Sequence, residues 1–573
     1  MPKIEVNERL FFDLLGRVRD AASLEEVLPG AKAELDGWDL AGGKPGDSGA
    51  EGRVIKIELN DTNRPDLWST AGLARQLRVL DGAPIPEYPF FSREGDERPA
   101  KYTVKVESSV AKVRPFMAAF VISGKPVSDA MLRDVIQTQE KLCWNFGRKR
   151  RSVSMGLYRT ALISWPVAYK AVDPDSVSFV PLGMEAPLTL RRALAEHPKG
   201  KEYGFILEGE SVHPLLVDAG GKVLSYPPII NSNDLGAVQV GDADLLVELT
   251  GTDLHSVTLS ASIVACDFAD AGYEIQPVAI EYPEPTAFGR RVVFPYYFQA
   301  PVALDSARAS KLLGKSLSPA AVVESLAKAG VRADVHGQFV QAFPPEYRND
   351  YLHAVDVVED VMIGRGMADF PPERPRDFTI GRLHPIERIS RKAKSLMVGL
   401  GYQEMIYNYL GSGRDYVERM GVESEGVVRI ANPMTESFEY VRPSILPSLL
   451  GSEAASARAP YPHRIFETGK VAFRDASEIY GVATRQRLGF LSVHAEANYN
   501  EAASVVAALF YYLGEDWAIE ESEDGRFIPG RQARLLRKGR SVGVFGELHP
   551  RVLENWGVTV PAVAGEIDIE SFA

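Results

Sequence analysis

The sequence predicts a multidomain α+β protein. Three observations carry this: the length, the composition, and the way short β-rich runs alternate with helical patterns along the chain. At 573 residues the chain suits about four domains of ordinary size. Hydrophobic residues make up 45% and charged residues 25%, the proportions of a globular chain with a core rather than of a disordered or fibrous one. The pattern changes character at 83–100, 281–291 and 370–378, where Pro-bearing stretches read as spacers.

Residues 1–95 read as an N-terminal α/β module. It holds a Gly-rich loop (40–52), the strand-like VIKIEL (54–59) and a helical pattern over 67–82 that closes at Gly82, a residue well suited to ending a helix. Residues 101–280 form a mixed α+β region. Its strand-like runs are YTVKVE (102–107), MAAFVIS (117–123), VSMGLY (153–158), VAYKAV (167–172), 213–230 and DLLVELTGT (244–252), with one helical pattern at 129–146. Residues 292–370 predict a small, helix-rich, winged-helix-like module: SARASKLLG, then SPAAVVESLAKAG with Ser318 as N-cap and Pro319 at the first helical position, short strands, and the helical LHAVDVVEDVMIGRG (352–366). The last region, 379–573, opens on the helical RLHPIERISRKAKSLMVGLG and continues with several strand-like runs.

Composition excludes several classes of function. The net charge of −13 means that nucleic-acid contact requires a local basic patch or a partner subunit. Two cysteines, Cys143 and Cys266, leave no disulfide scaffold and no Cys-rich metal site. Asp13 and Arg17 interrupt the opening apolar stretch, so no signal peptide is expected. No run of 18 apolar residues occurs, so no membrane helix is expected and the compartment reads as cytoplasmic. The GxxxxGK[ST], GxGxxG, HExxH and GxSxG motifs are absent, and the nine histidines form no clustered pair.

Three features remain as candidates. In YRNDYLHAVDVVEDV (347–361), Asp350 precedes a helix, while Asp356, Glu359 and Asp360 fall at i, i+3 and i+4 on one face. Like charges so spaced repel, and a hard cation such as Mg²⁺ would reverse the sign; a solvated acidic face is the alternative. In the strand 244–252, Glu248 and Thr250 share a face, as the wall of a polar pocket or as a half-solvated sheet face. The run Gly147-Arg148-Lys149-Arg150-Arg151 is either a phosphate contact or a charged turn.

Longer segments carry a resemblance. NDTNRPDLWSTAGLARQL (60–77), HPLLVDAGGKVLSYPPIINSNDLGAV, VELTGTD, PPEYRNDYLHAVDVVEDVMIGRGM, LMVGLGYQEMIYNYL (396–410), RIANPMTESFEYVRPSILPSLL (429–450), RIFETGKV (464–471) and VFGELHPRVLENWG (544–557) fall in order over nearly the whole chain. Together they resemble the β subunit family of phenylalanine–tRNA ligase, a class II aminoacyl-tRNA synthetase. The length resembles the compact archaeal and eukaryotic-cytosolic form, without the bacterial OB-fold insertion or C-terminal anticodon-binding domain.

The resemblance implies a C-terminal class II catalytic-like fold, an antiparallel sheet with helices. RIFETG keeps an echo of the ATP-binding motif in Arg464 and Glu467, but no GxGxxR follows. The resemblance therefore places ligation, with ATP as substrate, on a partner α chain, in a heterotetramer of two α and two β chains that acts on the phenylalanine tRNA. It implies that 101–280 is an editing domain that hydrolyses Tyr mischarged onto that tRNA, with pocket positions Leu216, Ser225, Glu248 and Thr250. Glu248 would accept the phenol proton, Thr250 orient it, Leu216 pack on the ring, and Ser225 with Pro227-Pro228 shape the pocket. It also implies Mg²⁺ at Asp350, Asp356, Glu359 and Asp360. A free-standing deacylase of mischarged tRNA and a non-enzymatic nucleic-acid-binding regulator are the competing readings.

Overall fold

The computed structural model describes residues 2–40, 53–96, 98–456 and 458–573, so positions 41–52 of the expected Gly-rich loop lie outside the described residues. The chain divides into two compact units, Met1–Glu373 and Arg374–Ala573. The boundary falls in the expected spacer 370–378, whose described residues form no helix or strand.

The first unit opens on a three-stranded sheet with Arg53–Leu59 between Lys3–Asn7 and Ala33–Leu40. Alternation puts Ile55, Ile57 and Leu59 inside. The helix expected over 67–82 runs Thr70–Leu80. It starts later because Pro65–Leu67 is a separate 3-10 turn and the Ser69 hydroxyl accepts from Gly72 N at 2.9 Å, capping the helix.

Two expected spacers prove to be structure. Within 83–100, Tyr88, Phe91 and Ser92 are buried, and Ser92 N donates to Pro295 O at 2.9 Å. The run of aromatics in EYPFFS has apolar area to bury, which a solvated linker would not. Residues 281–291 lie in a hairpin of Glu274–Thr286 and Gly289–Phe294, whose register is interrupted between Glu281 and Thr286. That interruption accommodates Pro283 and Pro285, which could not donate to a regular ladder.

This hairpin belongs to a ten-stranded sheet. Its strand Leu245–Gly251 lies antiparallel between Phe116–Ser123 and Val153–Arg159, all seven of its residues buried. A half-solvated face is thereby ruled out. Helix Asp129–Lys141 continues into one π turn, Leu142–Phe146.

Three strands, Val302–Asp305, Phe339–Phe343 and Arg332–His336, form a small sheet in that order. Helices Ser306–Leu313, Pro319–Lys328 and Ala354–Arg365 share a core with it through Leu304, Val322, Leu326, Val340, Val357 and Val361. Ser318 Oγ accepts from Ala321 N at 3.2 Å, with Pro319 at the first helical position.

The second unit is built on a seven-stranded sheet, antiparallel except where Gln403–Glu404 meets His463–Arg474 in parallel. Both of its faces are covered. Along Val482–Val493, Leu488 and Phe490 pack in one core with Met397 and Phe510, while Leu491 and Val493 pack in another with Leu449 and Trp556. Among the described residues no helix is long and apolar enough to cross a membrane.

A Cβ on Gly364 would lie 2.0 Å from the Ser325 carbonyl oxygen, so two helix backbones touch there. Gly364→Ala forces them apart and lowers the unfolding free energy by about 2 kcal/mol. Gly399→Ala, where a Cβ meets nothing within 4 Å, is neutral or slightly stabilising. Chemical denaturation of the full chain compares the two.

Candidate functional site

A cavity of 480 Å³ opens against the ten-stranded sheet, walled by Glu248, Tyr158, Met155, Ser225, the turn Tyr226–Asn231, and the side chains of Ile136 and Gln139. Glu248 reaches it from the fully buried strand Leu245–Gly251, opposite Gly156. That glycine is required: a Cβ there would lie 2.1 Å from the Tyr158 hydroxyl and 2.9 Å from Glu248 Oε2. Through this gap Tyr158 donates to Glu248 Oε2 at 2.9 Å.

Glu248 is 2% exposed. Burial pushes its carboxyl up from 4.5 to about 7, against the hydrogen bond from Tyr158 and the charge of Arg114, which both favour ionisation. Its Oε1 has no hydrogen-bond partner, and neither does Ser225 Oγ. The Tyr158 hydroxyl also lies 3.3 Å from Asn231 Oδ1. With one proton to give, it serves ionised Glu248; once Glu248 is protonated, the carboxyl donates and the phenol turns to Asn231. Burial and the adjacent carboxylate keep Tyr158 a neutral phenol.

The other two expected pocket residues stand behind this wall. Thr250 shares the face of Glu248, but its Oγ1 is 3.1 Å from both Arg114 Nε and Ser154 Oγ. Leu216 is fully buried, directly across the ladder from Ser225. The structure thus brings Ser225 and Glu248 to the cavity and sets Thr250 and Leu216 as their supports.

The basic run forms a turn at the cavity rim. Arg148, Lys149 and Arg150 have φ of 50°, 55° and 66°, a left-handed stretch that costs of order 1 kcal/mol per non-glycine residue. Their amides are satisfied by the preceding helical turn, with Lys149 N on Trp144 O and Arg150 N on Cys143 O, both at 2.8 Å. Arg150 Nη1 donates to Pro228 O at 3.1 Å and Ile229 O at 3.0 Å, fastening the turn to the cavity wall.

The four carboxylates do not converge. Asp350 forms a two-pronged pair with Arg348, at 2.9 and 2.6 Å. Burial would raise its pKa, but the Arg348 guanidinium outweighs this and holds it well below the usual carboxylate range. Asp360 accepts from Arg348 at 2.6 Å and from the Tyr351 hydroxyl. Asp356 instead caps its helix, accepting from Leu352 N at 2.8 Å and His353 N at 2.6 Å. Glu359 pairs with Lys32 at 2.9 Å. The i, i+3, i+4 spacing gives one broad face, yet Asp360 turns inward, Asp356 is half-buried and Glu359 stays exposed. Among the described residues no group of three or more His, Cys, Asp or Glu is placed to hold a metal. Of the carboxylates expected to hold Mg²⁺, Asp350, Asp360 and Glu359 are paired with protein cations and Asp356 is taken up by backbone amides, so they do not fit a cation cage.

Residues 371–569 match the family model described as phenylalanyl tRNA synthetase beta chain CLM domain, and 302–367 match the tRNA synthetase B5 domain. The phenylalanine–tRNA ligase beta subunit of Borrelia garinii subsp. bavariensis is 45% identical over 570 residues, covering 99% of each chain. That of Treponema pallidum subsp. pallidum is 46% identical over 599 residues, again with 99% of each covered. This chain belongs to the phenylalanine–tRNA ligase beta subunit family. A crystal structure of an N-terminal fragment of the phenylalanyl-tRNA synthetase beta subunit from Pyrococcus horikoshii covers 64% of this chain and all of its own length, at 31% identity and a TM-score of 0.58. The compact length is thus shared with relatives from Borrelia and Treponema as well as resembling the archaeal form.

In this beta subunit the echo of an ATP motif serves internal pairs. Glu467 is held by Arg442 through two bonds of 2.7 and 2.9 Å, both side chains buried. Arg464 lies 3.2 Å from Glu501 instead. Arg114, Tyr158, Asn231 and Arg442 escaped the sequence analysis. Gly156 and Tyr158 alternate in VSMGLY, but only the cross-strand register sets them opposite Glu248.

Two measurements test these assignments. The Glu248 carboxyl holds its proton more tightly folded than unfolded, so its contribution to stability falls as pH rises from about 4.5 to about 7. Glu248→Gln removes that loss, of order 3 kcal/mol, and gains on the parent between pH 5 and pH 8 in denaturant titrations. Asp350→Asn leaves Arg348 with one of its two buried carboxylate partners, Asp360, and costs about 3 kcal/mol, the low end for breaking a buried pair. That loss is the same in Mg²⁺ and in EDTA; a loss confined to Mg²⁺ would restore the cation.

Proposed function

We propose that this beta subunit of phenylalanine–tRNA ligase hydrolyses Tyr wrongly attached to the phenylalanine tRNA in the cavity beside Glu248, while ligation takes place on a partner α chain. The observation that carries the reading is the unpartnered, buried Oε1 of Glu248 on a wall otherwise rich in apolar side chains. Tyr differs from Phe by one hydroxyl, and an apolar synthetic site rejects the addition by only about 100-fold. A second site with a waiting polar atom reverses the preference. The phenol satisfies Oε1 as donor when Glu248 is ionised, whereas Phe leaves it unpaired.

Hydrolysis here is the attack of water on the ester carbonyl carbon, cleavage of the acyl–oxygen bond, and departure of the ribose hydroxyl with a proton. The described cavity wall holds no His or Cys, and Ser225 Oγ has no partner that would activate it. Water, assisted by backbone groups and the neighbouring ribose hydroxyl, is therefore the nucleophile. Glu248 binds the phenol, Tyr158 and Asn231 hold Glu248, and Thr250 and Leu216 fix the strands on which Glu248 and Ser225 stand.

The remaining assignments follow family membership. We assign 1–95 as the N-terminal module, 101–280 as the editing domain, 292–370 as the winged-helix-like module, and 379–573 as the class II-like domain that packs on the α chain in a heterotetramer of two α and two β chains. ATP is the substrate at the α chain, and the steps of hydrolysis described above use neither ATP nor Mg²⁺. The internal pairing of Glu467 with Arg442 supports a non-ligating C-terminal domain. Full-length agreement with ligase beta subunits leaves the free-standing deacylase and regulator readings without support.

In the complete ligase, Glu248→Ala slows release of Tyr from mischarged phenylalanine tRNA by about 10- to 100-fold, the worth of one hydrogen bond to a charged group. Deacylation at the parental rate would overturn the assignment.

A further inference from the structure

The basic turn and the aromatic side chains around it are not absorbed by the cavity. Trp144 is 45% exposed and Phe205 39% exposed, although neither belongs to a core. Trp144 stands edge-on to Tyr203, ring centroids 6.4 Å apart, with the Lys149 ammonium 5.1 Å from its ring centre. The guanidinium of Arg150 lies 4.1 Å over Tyr203, and that of Arg151 lies 5.0 Å over Phe205. Cations and exposed rings thus interleave, with Arg148, Lys149 and Arg151 open to solvent.

One left-handed residue suffices to end a helix. This chain uses three in succession, none of them glycine, and the resulting turn presents its cations as a fixed set. Below it lies a cleft of 1420 Å³ that shares Arg150 and Lys199 with the wall of the 480 Å³ cavity. The acidic groups of the cleft are Glu140, Glu202 and Asp253. Glu202 is neutralised by Lys199 at 2.8 Å, and Asp253 caps the following helix through Ser256 N at 2.7 Å. In a chain of net charge −13, this is a local positive surface at the mouth of the candidate site.

Resting on the editing reading, we infer that this turn is the landing surface for the single-stranded 3′ end of the tRNA. Trp144 stacks on a base, and Arg148, Lys149 and Arg151 take the phosphates that lead the aminoacyl group past Arg150 into the cavity. Single strands are held in this way, by aromatic faces for bases and cations for the backbone.

The test uses the complete ligase with its α chains. Deacylation of Tyr-charged phenylalanine tRNA is followed for the parent, Trp144→Ala, Trp144→Phe and Lys149→Ala. The expected result is KM raised about ten-fold in Trp144→Ala with kcat within two-fold, recovery in Trp144→Phe, and a salt dependence of log KM shallower by about 0.7 in Lys149→Ala. Parental KM and salt slope in all three variants would overturn the proposal. If the parent itself does not deacylate, the editing reading fails separately, and the surface is read by fluorescence from tRNA carrying 2-aminopurine in its 3′ strand. Quenching by the parent that is lost in Trp144→Ala supports the landing surface; no quenching by the parent overturns it.

Discussion

The guanidinium of Arg114 is 1% exposed and carries no bonded carboxylate. It donates instead to Thr250 Oγ1 at 3.1 Å, Thr250 O at 2.6 Å, Ser154 Oγ at 3.0 Å and Arg151 O at 3.0 Å. One side chain thereby joins the strand that carries Glu248, the strand that carries Tyr158, and the basic turn at the rim. Burial lowers its pKa, while Tyr169 and Glu248 raise it. Its charge in turn favours the ionised form of Glu248. The position of the cavity wall, the balance of its acid and the anchoring of the turn all run through this group.

Buried charge elsewhere in the chain is treated differently. Arg64 meets Asp66 at 2.8 Å, Arg348 meets Asp350 and Asp360, and Arg442 meets Glu467. Each pair is desolvated together, which is tolerable only because both partners are present. Glu248 has no such cation bonded to it: its partner is a neutral phenol, and one oxygen is left open at a cavity wall. A buried acid with a raised pKa on a cavity wall is the mark of a site prepared for a ligand. The carboxylates of 350–360, which look more like a site in sequence, are the structural ones.

Part of this was legible beforehand. Period-two runs gave the strands around 117–123, 153–158 and 245–251, and Ser318-Pro319 gave a helix start, because these rest on local geometry. The spacers at 83–100 and 281–291 misled because proline content signals interruption without saying whether the aromatics beside it find a core. The grouping of Asp356, Glu359 and Asp360 misled because helical spacing fixes an angle around the axis and not what stands opposite. Arg348 stands opposite Asp360 and Lys32 opposite Glu359, neither on that helix, while Asp356 folds back on the helix start.

The sequence by itself determined the α+β class, the family through its ordered segments, and Glu248 as a polar residue within an apolar strand. Tertiary structure decided the site. Gly156 had to fall opposite Glu248 for Tyr158 to reach it, Thr250 had to be claimed by Arg114, and Arg150 had to tie the basic turn to the cavity wall. Those are contacts between segments dozens of residues apart, fixed by strand register and burial. A linear pattern encodes periodicity, while register and dielectric environment exist only once the sheet has closed around the side chain.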